Sequence, residues 1–182
     1  ANQPMTERPA GTVTFLVTDI EQSTRRWEDE PEAMRAALAR HDAALRDAIE
    51  RHGGWMFKHT GDGVLAAFAL AKPAIEAAIT AQRALELPVR MGVLTGEAEP
   101  HGDDYFGLAV NRAARTMAAA HGGQIIVAAS TAAFADDIAL ADLGEFRLRD
   151  LSQPQRLFQV KAPGLKESFP PLRTLDSLPG NL

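Results

Sequence analysis

The chain has 182 residues, enough for one domain with a sizeable core, and its net charge of −5 gives no electrostatic case for nucleic acid or an anionic membrane surface. With no cysteine, disulfides and thiolate metal sites are excluded, which fits a reducing compartment. No signal-peptide core occurs in residues 1–11, and no apolar run approaches the roughly 20 residues that cross a bilayer. The sequence therefore predicts a cytoplasmic protein without membrane or nucleic-acid partners.

The predicted elements alternate between short strands and amphipathic helices. Residues 1–11 are expected to be a flexible lead-in, and a helical pattern follows the first strand. In chain order the hydrophobic periodicity and turn residues predict a strand at 12–19, a helix at 31–52, a hairpin of 55–58 and 64–68, a helix at 73–87, a strand at 89–95, a polar loop at 96–104, a helix at 106–120, a strand at 124–128, a short helix at 130–134 and a final strand pair at 145–149 and 156–160.

This order predicts an α+β fold in which helices pack on a mainly antiparallel sheet around a split βαβ, ferredoxin-like core. Residues 12–161 are expected to form the folded domain. Residues 162–182 are rich in proline and show little periodicity, so we expect a linker or a terminal arm packed along the surface.

Two aspartates stand at predicted strand ends. Asp19 closes the first strand, and Asp62 lies in the Thr-Gly-Asp-Gly turn of the hairpin. Carboxylates on neighbouring strand ends suggest a site for Mg²⁺, which binds through one or two carboxylates plus substrate phosphates. The alternative is that Asp19 caps the following helix and Asp62 only supplies turn chemistry.

A polar pair marks the predicted helix at 106–120. Asn111 and Arg115 are four residues apart, so they share a helix face and can reach one ligand together, although such a pair is often only the solvent face of a helix. The five histidines show no ligand spacing, so we predict no zinc site.

Three segments in this order resemble the catalytic domain of class III nucleotidyl cyclases. They are Phe-x-x-Thr-Asp-Ile-x-x-Ser-Thr at 15–24, Lys-x-x-Gly-Asp-Gly at 58–63 and Asp-x-x-Gly-x-x-x-Asn-x-x-x-Arg at 104–115. The similarity runs from about residue 12 to residue 160. The ferredoxin-like fold that it implies agrees with the order of predicted elements.

The resemblance implies a two-metal site. Asp19 and Asp62 would bind two Mg²⁺ or Mn²⁺ ions, with help from the Ile20 carbonyl, to activate the ribose 3′-hydroxyl and neutralise the β- and γ-phosphates. Backbone amides of the turn that opens the next helix would cradle the triphosphate; they belong to Glu21, Gln22, Ser23 and Thr24.

The resemblance also assigns the remaining substrate contacts. Asn111 would orient the ribose, and Arg115 would stabilise charge on the α-phosphate. Arg149 falls where the family has a basic residue for the terminal phosphates. The alternative for Arg149 is an exposed strand arginine that shares a strand face with Arg147.

Lys58 and Asp104 occupy the positions to which the resemblance assigns purine selection. Adenine presents an acceptor at N1 and a donor at N6, whereas guanine presents the reverse. Lys58 can only donate and an ionised Asp104 can only accept, so the pair complements adenine and favours ATP. The alternative is a surface ion pair with no role in recognition.

The resemblance implies a head-to-tail, two-fold symmetric homodimer with two composite sites. Asp19 and Asp62 would come from one chain, and the purine, ribose and phosphate contacts from its partner. The predicted activity is an adenylate cyclase that converts ATP to 3′,5′-cyclic AMP and pyrophosphate. Alternatives are a guanylate or dual-purine cyclase, or a non-catalytic nucleotide-binding regulatory module.

Overall fold

The computed structural model describes residues 8–174 and contains one open, mixed sheet with helices on both faces. The elements in chain order are β1 Gly11–Ile20, α1 Ser23–Asp29, α2 Pro31–Arg51, β2 Trp55–Thr60, β3 Gly63–Phe68, α3 Ala71–Ala84, β4 Val89–His101, β5 Asp104–Phe106, α4 Leu108–Ala118, β6 Ile125–Ala128, α5 Ala129–Ala132, β7 Ala139–Phe146 and β8 Gln155–Lys161.

The strand order β2-β3-β1-β4-β6-β8-β7, with β5 paired to β4, confirms the predicted α+β, ferredoxin-like architecture. Pairing is antiparallel throughout the described sheet except between β4 and β6. Since α4 connects the β4–β5 region to β6, this parallel pair has the helical crossover that parallel strands require.

Strand β1 lies between β3 and β4 in the sheet, and both of its faces are covered by helices. Phe15 and Val17 pack in one cluster with α4, whereas Leu16 and Ile20 pack in the other with α2 and α3. A strand buried on both faces has a near-continuous apolar sequence, as this one does. Asp19 interrupts that run on the α4 side, at the edge of the core.

The predicted polar loop at 96–104 is wrong. Strand β4 continues to His101, and β5 returns antiparallel to it. Ala98 is buried between the exposed Glu97 and Glu99, which is the alternation of a half-buried strand, so polar composition concealed the period of two. Gly107, with φ of +126°, then turns the chain, and α4 begins later than predicted.

The predicted strand at 145–149 is also misplaced. Strand β7 ends at Phe146, and its pairing with β8 is interrupted by a bulge between Asp142 and Gly144. Arg149 therefore lies in the β7–β8 connection, and the expected strand face shared by Arg147 and Arg149 does not exist.

The ends of the chain are described only in part. Residues 1–7 of the predicted lead-in and residues 175–182 of the predicted tail lie outside the described residues. Within the described part, β1 already begins at Gly11, and residues 162–174 pack on the domain with Leu172 only 4% exposed. Across residues 8–174, no helix is both long and apolar enough to span a membrane.

Candidate active site

The two aspartates predicted to bind metal lie next to each other, at the C-terminal end of β1 and in the turn between β2 and β3. Asp19 pairs in register with Gly63, so the preceding residue, Asp62, emerges beside it. The Ser23 hydroxyl donates to Asp62 at 2.5 Å, which joins the hairpin turn to the start of α1. Both acids are partly exposed, so their oxygens can reach a ligand.

Arg90 is a residue that sequence reasoning missed. It lies directly opposite Asp19 on β4 and forms a bidentate pair with its carboxylate, with Nε–Oδ1 at 3.1 Å and Nη2–Oδ2 at 2.7 Å. Arg90 also donates to the Ala118 carbonyl at the end of α4 at 3.4 Å. Because a carboxylate offers about four lone pairs, this pairing leaves acceptor positions open for a cation.

The turn after Asp19 is fixed by several contacts. The Glu21 amide donates to the Pro88 carbonyl at 2.8 Å, so this amide is engaged and only those of Gln22, Ser23 and Thr24 stay candidates for phosphate. Gln22 has φ of 59° and ψ of 34°, the left-handed conformation that a non-glycine residue adopts at a cost of about 1–2 kcal/mol. The surrounding contacts hold the turn in this unfavourable shape.

The donor set matches a hard divalent cation. Two carboxylates and the neighbouring Ile20 carbonyl supply only oxygen, the ligand that Mg²⁺ and Mn²⁺ prefer. In the part of the chain that the structure describes, no group of three or more His, Cys, Asp or Glu side chains is placed to hold a metal ion. Ions at Asp19 and Asp62 would thus take further oxygens from the backbone, water or a substrate phosphate.

The predicted purine-selecting residues face each other. Lys58 Nζ lies 2.9 Å from Asp104 Oδ2, with nearly half of each side chain exposed. This hydrogen bond, a second one from the Tyr105 amide at 2.8 Å, and the positive charge of Lys58 lower the pKa of Asp104. Asp104 is therefore ionised at neutral pH and acts only as an acceptor, as base selection requires.

An aromatic cluster supports this pair from below. Tyr105 packs edge-on against Phe15 and Phe57, each with ring centroids 5.0 Å apart, and its hydroxyl donates to the Pro9 carbonyl at 2.7 Å. Burial raises the pKa of Tyr105 to about 12, with Arg8 acting weakly in the opposite direction. The exposed Lys58–Asp104 pair therefore lies next to a buried aromatic cluster.

Asn111 and Arg115 line one cavity of about 560 Å³ between α4 and the β7–β8 connection. Arg115 donates to Asp150 at 2.5 Å, while Asn111 is exposed. Arg149 precedes Asp150 and is exposed, but it does not line this cavity. Asn111 and Arg115 are therefore brought together as predicted, and the assignment of Arg149 to phosphates stays a prediction.

The structure thus forms three separate groups: the acids, the Lys58–Asp104 pair, and the Asn111–Arg115 cavity. Within residues 8–174, no hydrogen bond or ion pair connects one group with another. The two ends of the β2–β3 hairpin illustrate the separation, since Lys58 contacts β5 whereas Asp62 contacts α1.

The chain is similar to several known proteins. It is 39% identical over 183 residues to an uncharacterized protein of Mycobacterium tuberculosis, covering 96% of this chain and 64% of that protein. It is 32% identical over 153 residues to the adenylate cyclase of Podospora anserina, covering 65% of this chain and 7% of that enzyme. None of the protein-family models matches the chain.

Solved structures agree with this similarity. A structure of adenylate cyclases from Trypanosoma brucei in their monomeric state superposes with a TM-score of 0.83 at 25% identity, covering 96% of this chain and 99% of that chain. The guanylate cyclase domain from Catenaria anguillulae, in complex with GTP, has the same fold, with a TM-score of 0.75 at 19% identity and coverage of 86% and 99%.

The chain belongs to the class III nucleotidyl cyclase catalytic domains. The solved structures that share its fold include both adenylyl and guanylyl cyclases. The chain spans 64% of the length of the mycobacterial relatives, so the activity of the whole protein is a matter for proposal.

Proposed function

We propose that this cyclase domain converts ATP to 3′,5′-cyclic AMP and pyrophosphate, using two divalent ions at a homodimer interface. The observation that carries the proposal is the placement of Asp19 beside Asp62 at the ends of neighbouring strands, together with a separate donor–acceptor pair that matches adenine. The similarity to adenylate cyclases supports the same conclusion.

The acid end of the site would bind the reactive part of the nucleotide. Asp19, Asp62 and the Ile20 carbonyl would hold Mg²⁺ or Mn²⁺, which when bound favours the deprotonated ribose 3′-hydroxyl and neutralises phosphate charge. The amides of Gln22, Ser23 and Thr24 would contact the triphosphate, while Glu21 fixes the shape of the turn. Arg149 would reach the terminal phosphates.

In the proposed reaction, the ribose 3′-hydroxyl gives up its proton to solvent and its oxygen forms a bond to the α-phosphorus. The bond from that phosphorus to the bridging oxygen breaks as pyrophosphate leaves. Asn111 would orient the ribose for this attack, which needs the reacting atoms within about 3–3.5 Å. Arg115 would stabilise the negative charge that develops on the α-phosphate oxygens. To do so it must exchange its contact with Asp150 for one with the substrate.

Base selection follows from the charges of Lys58 and Asp104. Lys58 donates to adenine N1, and the ionised Asp104 accepts from the N6 amine. With guanine, each contact places like against like, at a cost on the order of 1–3 kcal/mol. The fold similarity to guanylate cyclase domains makes a guanylate or dual-purine cyclase the second candidate.

The separation of the three groups supports a composite site. The acids of one subunit would act with Lys58, Asp104, Asn111, Arg115 and Arg149 of the partner subunit. Because one chain carries both sets, a symmetric dimer would have two equivalent sites. The isolated monomer would then lack a complete site.

The test is incubation with ATP or GTP in the presence of Mn²⁺ or Mg²⁺, with cyclic nucleotide and pyrophosphate measured by chromatography. We expect cyclic AMP in equal molar amount with pyrophosphate, and at least a tenfold preference for ATP because guanine would mismatch both base contacts. Equal or higher yield from GTP would favour the second candidate. A protein that binds ATP but forms no cyclic product would be a regulatory module.

A further inference from the structure

Residues 162–174 form a segment, here called the strap, that runs back across the domain towards the acid end. Arg83 donates to the Pro163 carbonyl at 2.9 Å, and Gln159 donates to the Glu167 carbonyl at 2.9 Å. Near the end of the strap, Leu172 is buried. The strap is therefore fixed along its length and delivers Arg173 to a defined position.

Arg173 contacts the turn that follows Asp19. Its amide donates to the Ala119 carbonyl at 2.9 Å, its Nη2 donates to Glu21 Oε1, and its Nε donates to His121 Nδ1 at 3.3 Å. Nε2 of His121 lies 2.8 Å from the Pro171 carbonyl, to which it can only donate, so Nδ1 is the unprotonated acceptor.

Glu21 accepts the hydrogen bond from Arg173 and is itself held by further contacts. Its Oε2 accepts from the Gly122 amide at 2.6 Å, and its side chain is only 17% exposed. Its backbone is bound to Pro88, and a Cβ atom at Gly122 would lie 2.6 Å from Glu21 Oε2. Three segments distant in sequence therefore converge on one residue.

The backbone conformation of Gln22, the next residue, explains why Glu21 is held by several contacts. Gln22 adopts the left-handed conformation, which a non-glycine residue keeps only when its surroundings impose it. Glu21 also sits between Ile20, a predicted metal ligand, and the amides predicted to contact phosphate. A shift of Glu21 would move both.

We propose that Arg173 is a positioning residue of the cyclase site: acting through Glu21, it holds the metal- and phosphate-binding turn in its working shape. This inference rests on the proposed function. Lysine could reach Glu21 but would not contact both Glu21 and His121 with a planar guanidinium, so Arg173→Lys should restore the role only in part.

The experiment compares Arg173→Gln with the wild type in the full chain, with two readouts. The first is steady-state cyclisation against Mn²⁺ concentration. We expect about a tenfold loss of kcat/KM for ATP, since a displacement of about 1 Å can cost about 100-fold and the turn keeps its other contacts. The second is amide hydrogen exchange in the peptide covering residues 20–27, without nucleotide or metal. We expect exchange there to be about tenfold faster.

Four further variants separate positioning of the turn from general loosening of the domain. Arg83→Gln removes a strap contact at Pro163 but leaves Glu21 untouched, and it should keep both readouts within about twofold of wild type. Glu21→Gln should reproduce the loss seen with Arg173→Gln, and the double variant should lose no more than either single one. Arg173→Lys should fall between Arg173→Gln and wild type.

An active wild type whose Arg173→Gln variant keeps normal kinetics and normal exchange overturns the inference. Additive losses in the double variant would do the same, because they show that Arg173 does not act through Glu21. An inactive wild type overturns the proposed function instead, and the exchange readout still decides whether Arg173 holds the turn. If Arg173→Gln does not fold, Glu21→Gln and Arg173→Lys carry the same comparison.

Discussion

The acid end of this domain and the side predicted to contact the nucleobase, here called the base-reading side, differ in how firmly their side chains are held. At the acid end, Asp19 is clamped by Arg90, Asp62 is bound by Ser23, and Glu21 is held by contacts from distant segments. On the base-reading side, Lys58 and Asp104 contact each other and stand nearly half exposed, and Asn111 is exposed.

The difference shows where each half of the site gets its shape. The acid end is organised by contacts within the chain, as we expect if its groups hold metal ions and phosphates without reorganising during the proposed reaction. The base-reading side packs on a buried aromatic cluster but leaves its polar side chains exposed, where a ligand or a second protein surface can contact them. We infer that this open side is completed by the partner subunit and the nucleotide.

The largest effect is expected at the acid end. Asp62→Asn removes a metal-binding charge while keeping the shape of the side chain, so Mn²⁺-dependent cyclisation should fall by at least about 100-fold. The control is Asp103→Asn, since that side chain is 92% exposed and forms its ion pair with Arg8, away from Asp62. Cyclic AMP formation in Asp62→Asn within a few-fold of this control would refute the metal assignment.

On the base-reading side, substitutions are expected to change the preference between ATP and GTP. Lys58→Glu combined with Asp104→Gly replaces the adenine-matched pair by an acid and a small residue, so the ATP:GTP ratio of kcat/KM should shift about 10- to 100-fold towards GTP. Competition between the two nucleotides in one reaction measures it. A ratio unchanged from wild type would leave Lys58 and Asp104 as a surface ion pair.

Arg90→Gln tests whether the clamp on Asp19 competes with metal. The side chains of Arg90 and Asp19 are 19% and 25% exposed, so losing the pair should cost about 1–2 kcal/mol of unfolding free energy, between surface and buried pairs. The unpaired carboxylate should then bind Mn²⁺ more tightly, giving a larger rise in Tm on adding the ion than wild type shows.

The control for Arg90→Gln is Arg40→Gln, which breaks the exposed pair with Glu86 and should leave the free energy of unfolding nearly unchanged. A Tm rise on Mn²⁺ addition that is the same in Arg90→Gln and wild type would show that the clamp does not compete with the ion.

The smallest effect is expected from the aromatic cluster around Tyr105, the residue that follows Asp104. Tyr105 is the single tyrosine of the chain, so its ultraviolet titration is unambiguous. Its pKa is raised from 10.0 to about 12 in the folded protein, so its contribution to stability is complete below pH 10 and is lost as the pH rises towards 12. A titration midpoint near 10 before unfolding would show that β5 is not packed as described.

Most of the fold was predictable because it depends on local periodicity. The strand ending at Asp19, the long helix before Gly53, and the hairpin around Asp62 all carry clear patterns, and these elements were confirmed. The β4–β5 arm was missed because alternating glutamates around Ala98 resemble a polar loop. The displaced end of β7 depends on a bulge at Gly144, which only its pairing with β8 defines.

The site was predictable where a strand end or a helix face carries it. The neighbouring placement of Asp19 and Asp62 followed from the predicted strand ends, and the shared cavity of Asn111 and Arg115 agrees with their helical spacing. The roles of Lys58 and Asp104, which contact each other, were implied only by the resemblance. Arg90 and Arg173 were not found because their partners are 71 and 152 residues away. Antiparallel pairing of 12–19 with 89–95 would have suggested the first, but nothing local suggests the second.

The most direct test of the composite site mixes two inactive variants, Asp19→Ala and Asn111→Ala. Each homodimer lacks one half of both sites, whereas a heterodimer has one site with all of its residues intact. The account predicts that mixing equal amounts restores cyclic AMP formation to about a quarter of the wild-type rate, because half of random dimers carry one of two sites. A mixture that forms heterodimers yet stays inactive would contradict it.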